Sequence, residues 1–428
     1  MPRKVVLLNV VGLTPELVAH APRIAQLGTP RPLRSPLPAV TCTSQATLLT
    51  GLPPSEHGVV GNGWYFRDTG EIRFWQQSNA LIQGETLYSA IAPAKTAKMF
   101  WWFNQGAPVQ WSATPKPHYG SDGSKQFGIL DQTDCRLVEQ LGEFPFHAFW
   151  GPFAGLASSD WIARASAAVI RQQQPDLTLV YLPHLDYDYQ RFPQRDPQRV
   201  AEVDRCAGEV IDAADAVGAK VVVVSEYGLV PVSRPVLINR LLRQQGWLSV
   251  RDGPFGEMLM PMDSQAFAVA DHQLAHVYVR DPSLRAAVRR TLEAAEGIAA
   301  VVDPHDIGLG HARSGELIAL ADPEAWFAYY YWLDDARAPD FARCVDIHRK
   351  PGYDPCELFI TSKLRAAARL AQKKLGMRYR MDVIPLDPSL VRGSHGLHPD
   401  PQSGPVIVGD DAPEDMQDVK SYVQGLMA

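Results

Sequence analysis

The sequence predicts an α/β fold: a doubly wound, mostly parallel sheet with helices on both faces and a small inserted α+β cap. Three observations carry this expectation. Short apolar runs rich in Val and Leu alternate with longer stretches at helical spacing. The runs lack polar alternation, the pattern of strands buried on both faces. Between residues 265 and 325 that alternation gives way to strand, helix, strand, strand. The chain is thereby divided into a first core part at 1–264, a cap at 265–325 and a return to the core at 326–428.

Each element follows in order. Val5 to Val11 reads as the first strand, and residues 43–50 as a short helix closed by Gly51. Residues 96–104 read as a strand, and 159–173 as a helix with Ser158 or Ser159 as its cap. Strands at 177–182 and 219–225 flank a helix at 197–217. In the cap, 266–279 and 298–302 read as strands, 283–296 as a helix and 315–321 as a strand. The run 326–332 (WFAYYYW) suits either core packing or a substrate-facing wall. Residues 351–356 look like a loop, 405–409 like a last strand, and the tail is acidic and then weakly helical.

Composition sets the bounds. The 428 residues are 46% hydrophobic and 21% charged, an ordinary globular balance with a large core. A net charge of −6 argues against a nucleic-acid polymer as partner. Five scattered cysteines make no disulfide framework. No apolar stretch is long enough to span a bilayer, so no membrane contact and a cytoplasmic location are expected. Oligomeric state is left open.

Candidate chemistry gathers at strand ends, where parallel sheets bind ligands. Asn9 ends the first strand, and Thr41 and Thr43 stand just before a helix. Such a hydroxyl either caps the helix or attacks a phosphate held at its N-terminus. Asp186 and Asp188, in YLPHLDYD, would point the same way in an extended chain. Glu226 ends another strand, and His395 sits in GSHG. Asp, Glu and His together suit a divalent metal such as zinc or manganese.

The stretch TCTSQATLLTGLPPSEHGVVGN, from Thr41 to Asn62, resembles the nucleophile region of the alkaline phosphatase superfamily. It is most similar to the nucleotide pyrophosphatase/phosphodiesterase branch, whose pattern runs T-F-P-N-H-x-x-L-x-T-G-x-x-P-x-x-H-G-I-x-x-N. The first strand, YLPHLD, SEYG and GSHG extend the likeness in order, with a cap before the last. The resemblance implies an alkaline-phosphatase-like fold, Thr41 as nucleophile, Asn62 on the phosphoryl oxygens and His57 as structural. It disfavours the sulfatase branch, which carries C/S-x-P-x-R here, so Cys42 is a packed thiol.

The resemblance also implies one or two divalent ions, zinc first and manganese second. The metal positions are Asp186, Gln190 and His395 for one ion, and Asn9, Thr41, Glu226 and Tyr227 for the other. Several depart from the family pattern: Asn9 replaces Asp, Gln190 and Tyr227 replace His, and Glu226 replaces Asp. His348 is an extra candidate ligand, with Arg349 and Lys350 beside it as contacts for an anionic substrate. His272 and His276, in DHQLAH with Asp271, and His184, beside Asp186, are further histidines that either compensate as ligands or are hydrogen-bonded structural residues, the structural reading being preferred for His276 and His184. The expected function is metal-dependent hydrolysis of small phosphoric diesters or pyrophosphate bonds through a Thr41 phosphoryl- or nucleotidyl-enzyme. The alternatives are a catalytically degenerate binding protein on the same fold, or a phosphoryl transferase or mutase.

Overall fold

A computed structural model describes residues 3–121, 125–192 and 196–428. Its central sheet has eight strands: β1 (Val5–Val10), β2 (Pro30–Pro32), β3 (Thr96–Met99), β4 (Trp111–Pro115), β5 (Ile129–Gln132), β6 (Leu177–Leu182), β7 (Lys220–Val224) and, late in the chain, Val406–Val408. β7, β1, β6, β3 and β4 lie side by side and parallel. The late strand pairs antiparallel with β7 and with β2, and β5 closes the other edge antiparallel to β4. Every residue of β1 and β6 is buried, so both faces of the sheet centre are covered.

Helix α1 (Thr41–Thr50) is buried along its whole length although six of its ten residues are polar. Burial of hydroxyls and amides costs free energy unless each finds a partner. Gln45 donates to Glu226, Thr47 bonds His57, and Thr50 donates back to the Ala46 carbonyl. Gly51, at φ 70°, ends the helix in the left-handed conformation, its N–H donating to Thr47. Helices α2 (Leu156–Gln173) and α4 (Pro197–Ala216) pack together, and the short α3 (His184–Arg191) leaves the end of β6.

Several local expectations are corrected. Thr41 is the first residue of α1, not a residue before it, and Val40 takes the cap position. The strand at 96–104 stops at Met99, because Phe100 and Phe103 turn to positive φ. Neither Ser158 nor Ser159 caps α2; Gly155 does, without a side-chain bond. YLPHLDYD bends into α3 directly after the strand, so Asp186 and Asp188 point apart. Asp188 turns to Arg191, Arg199 and His184.

Residues 266–321 build a second, four-stranded antiparallel sheet. Its strands are β8 (Ala266–Asp271), β9 (Leu274–Val279), β10 (Ile298–Val302) and β11 (Leu317–Ala321), in the order β8-β9-β11-β10. The stretch 266–279 is therefore a hairpin rather than one strand, turning at His272, whose φ is 63°. Helix α5 (Arg285–Glu293) sits beside it. The aromatic run 326–332 is fully buried in this layer's own core, which decides for packing over a substrate wall. A further helix, α6 (Lys363–Lys374), has no buried residue.

Candidate active site

The parallel strands bring their carboxyl ends to one edge, and the candidate groups meet there. β1 supplies Asn9, the β6–α3 junction supplies Asp186, the end of β7 supplies Glu226 and Tyr227, and α1 supplies Thr41. Thr41, Asp186 and Tyr227 form the floor of a cavity of about 930 Å³. That volume suits a ligand of drug or nucleotide size.

Thr41 Oγ1 lies 3.1 Å from the Tyr227 hydroxyl, which donates at 3.3 Å to Asp186 Oδ1. A phenol carries one proton, so the Thr41 hydroxyl is the donor in the first bond. Tyr227 is stacked on His395, and His395 lies against His272, ring centroids 3.7 Å apart. His395 Nδ1 bonds the Ala39 carbonyl at 2.7 Å, which leaves Nε2 3.6 Å from Asp186 and without a hydrogen bond.

The remaining altered positions bond one another only in part, and Asn9 Oδ1 and Glu226 Oε2 stay buried without a hydrogen bond. Asn9 Nδ2 and Gln45 Nε2 each donate to Glu226 Oε1 at 2.6 Å. Gln190 donates to Asp186 Oδ2 at 2.8 Å and accepts from the Tyr353 hydroxyl at 2.7 Å. Burial raises the Asp186 carboxyl to about 7 and that of Glu226 to about 8. Burial, then the nearby His272, pushes His395 well below its usual range, so it is neutral.

The donor set departs from the expected two-ion centre, while His272 Nε2 and His395 Nε2 stay buried without a partner. Three of the seven positions offer amide or phenol groups, and Gln190 turns its N–H face to Asp186. Among the described residues no three His, Cys, Asp or Glu side chains come together as a metal site requires.

The other candidates fall in different places. Asn62 Oδ1 accepts the Cys42 N–H, while its own N–H and Nδ2 both go to Asp271. It thus ties the start of α1 to the second sheet and does not line the cavity. His348 and Arg349 line the outer cavity; His348 Nδ1 faces the Phe74 carbonyl at 3.3 Å. Lys350 is buried between Asp354 and Glu357, at 2.7 and 2.6 Å, and cannot reach a substrate. Cys42 is buried and its thiol pKa is pushed well up, the state of a packed thiol. His57 and His276 bond inward, to Thr47 and to the Val60 carbonyl.

The group that the sequence reading undervalued is His272. It lines the cavity, stacks on Tyr353 at 3.7 Å, and its Nδ1 is held 2.8 Å from Asp271. Its Nε2 is buried without a partner. A non-glycine residue at positive φ is uncommon, although His takes it more readily than most, and φ is invisible in the sequence. Tyr181, Tyr187 and Tyr353, also in the wall, carry no spacing signal of their own.

The model of the type I phosphodiesterase / nucleotide pyrophosphatase family matches residues 5–354. Comparison with curated proteins finds no match. Among solved structures, phosphonoacetate hydrolase from Sinorhizobium meliloti 1021 in complex with phosphonoformate superposes with a TM-score of 0.62 at 16% identity, covering 100% of this chain and 96% of that one. Murine ectonucleotide pyrophosphatase / phosphodiesterase 5 gives a TM-score of 0.57 at 12% identity, covering 99% and 95%. An inactive form of the murine protein, in complex with AMP, gives 0.57 at 12% identity, covering 100% and 95%. At these identities the likeness shows the fold: an α/β, alkaline-phosphatase-like architecture.

Proposed function

The chain belongs to the type I phosphodiesterase / nucleotide pyrophosphatase family, and from that premise we propose that it hydrolyses a small phosphoric ester with Thr41 as nucleophile. One observation carries the reading: the hydrogen-bonded line Thr41–Tyr227–Asp186 on the cavity floor. Asp186, titrating near 7, is ionised in a substantial fraction of molecules at neutral pH. It takes the Thr41 proton through Tyr227 as Thr41 Oγ1 bonds to phosphorus. The ester P–O bond breaks, and the leaving oxygen departs with the bonding pair and is protonated by water. The hydroxide left by that protonation then attacks the phosphoryl-threonine. Oγ1 leaves and recovers its proton from Asp186 by the same path. Glu226, raised to about 8 and so largely protonated, adds little negative charge against an anionic phosphoryl group. Each of these steps runs on the chain's own side chains.

The second reading, a binding protein on the same fold, is favoured by the hydrogen bonds Asn9–Glu226–Gln45 and Gln190–Asp186, which engage the altered positions with one another. A panel of chromogenic phosphomonoesters, phosphodiesters and phosphonate esters separates the two. Turnover that disappears in Thr41→Ala supports the hydrolase. Tight binding of an ester that is recovered uncleaved, equally by both proteins, supports the binder.

A further inference from the structure

Helix α6 carries its amphipathic pattern inside out. Leu364, Ala367, Ala368, Ala371 and Leu375 follow the spacing of one helical stripe. All five are exposed, Leu364 by 84% and Leu375 by 74%. The face turned to the protein is instead Ala366, Arg369 and Gln372, with Arg369 paired to Asp382. The segment from Lys363 to Met381 contains seven Lys or Arg and no Asp or Glu. Arg365 and Arg369 share the single carboxylate of Asp382, and Arg380 lies 3.7 Å from Asp340. Lys363, Lys373, Lys374 and Arg378 form no ion pair among the described residues.

This helix sits at the mouth of the cavity whose floor is Thr41. Arg369, Lys373 and Arg378 are part of the cavity wall. Around the same mouth stand Tyr119, Phe127, Phe153 and Phe255, each more than half exposed. Monomeric soluble proteins seldom leave so much apolar surface gathered in one place. A solvent-facing leucine stripe flanked by unpaired cations, with exposed aromatic rings beside it, matches the interface of an anionic lipid bilayer. There the leucines enter the acyl boundary, the rings sit at headgroup level and the lysines meet lipid phosphates.

We propose that the cavity mouth docks on an anionic membrane surface through α6 and the surrounding aromatic residues. The ligand is then an amphiphile whose phosphate head reaches Thr41; this last point rests on the hydrolase reading, whereas the docking does not. The expectation of no membrane contact came from the lack of an apolar span. A stripe at helical spacing among basic residues leaves no trace in that test.

The experiment is flotation of the full chain with vesicles of phosphatidylcholine alone and of an equal mixture with phosphatidylglycerol. Binding is expected on the anionic vesicles only, weakening with salt, and falling about ten-fold or more in Leu364→Asp/Leu375→Asp. Both leucines are exposed, so the fold is retained. Lys373→Glu/Lys374→Glu should weaken binding similarly. Thr41→Ala should bind vesicles as the unaltered protein does, which separates docking from chemistry. Absence of binding, binding indifferent to the leucine substitutions, or a dimer that those substitutions dissociate without any vesicle binding would each overturn the proposal.

Discussion

The ring of Tyr227 lies flat on that of His395, with centroids 3.5 Å apart and planes within 6° of parallel. The stack leaves the phenol one direction, and its oxygen meets both Thr41 and Asp186. Tyrosine thus occupies a position where the family resemblance implies a histidine ligand. The replacement exchanges a metal-binding nitrogen for a proton-carrying oxygen with longer reach.

Tyr227→Phe keeps the stack and removes that oxygen. Turnover should fall by about 10²–10⁴-fold, the usual worth of positioned proton transfer, while the melting temperature stays close to the original. Single-turnover kinetics on a chromogenic ester measure the loss. Full activity in the phenylalanine variant would eliminate the relay through Tyr227.

Metal removal should change little. Dialysis against EDTA is expected to leave the melting temperature unaltered, and added zinc or manganese should not raise it. A ligand bound at about a thousand times its dissociation constant stabilises by roughly 4 kcal/mol, which a thermal melt detects easily. A zinc-dependent rise that disappears in Asp186→Asn would show that the altered positions still gather an ion.

Lys350 belongs to the fold and not to the substrate. Burial opposes its charge, yet Asp354 and Glu357 hold its pKa above the ordinary value. Lys350→Met leaves two carboxylates buried without their cation, and should cost about 3–5 kcal/mol in a urea unfolding titration. Arg349→Ala, on the exposed rim, should leave stability within about 0.5 kcal/mol. Similar losses in both would contradict the distinction.

Lys98 offers a pH test away from the site. Its ammonium donates to the Phe103 carbonyl at 2.8 Å, and burial lowers its pKa from 10.5 to about 7. Between those values the unfolded chain holds a proton that the folded chain has released. This site's contribution to stability therefore rises with pH, by up to about 1.4 kcal/mol per unit, and its full penalty applies below pH 7. Lys98→Met removes the penalty. The stability of the variant minus that of the original protein should be largest near pH ~7 and shrink toward pH ~10. A difference independent of pH would mean that Lys98 remains charged inside the fold.

Local residue patterns dictated the sheet and the placement of Thr41 at the sheet edge. Val5–Val10 and Leu177–Leu182 are apolar runs without alternation, so only burial on both faces suits them, and the two pair along their full length. The spacing from Thr41 through Thr50-Gly51 and His57-Gly58 to Asn62 is local, and a local pattern survives in one dimension. Tertiary structure alone decided the rest. Asp186 and Asp188 separate because the chain turns helical at His184, after the strand has reached the sheet edge. Asn62 is claimed by Asp271, 209 residues away, and His272 reaches the cavity only because the hairpin of the second sheet turns there. Lys350 withdraws into a buried cluster that its neighbours Arg349 and His348 do not share. Contacts between distant residues depend on how long loops close and which buried polar groups then find partners, and neither is written in the spacing of the residues themselves.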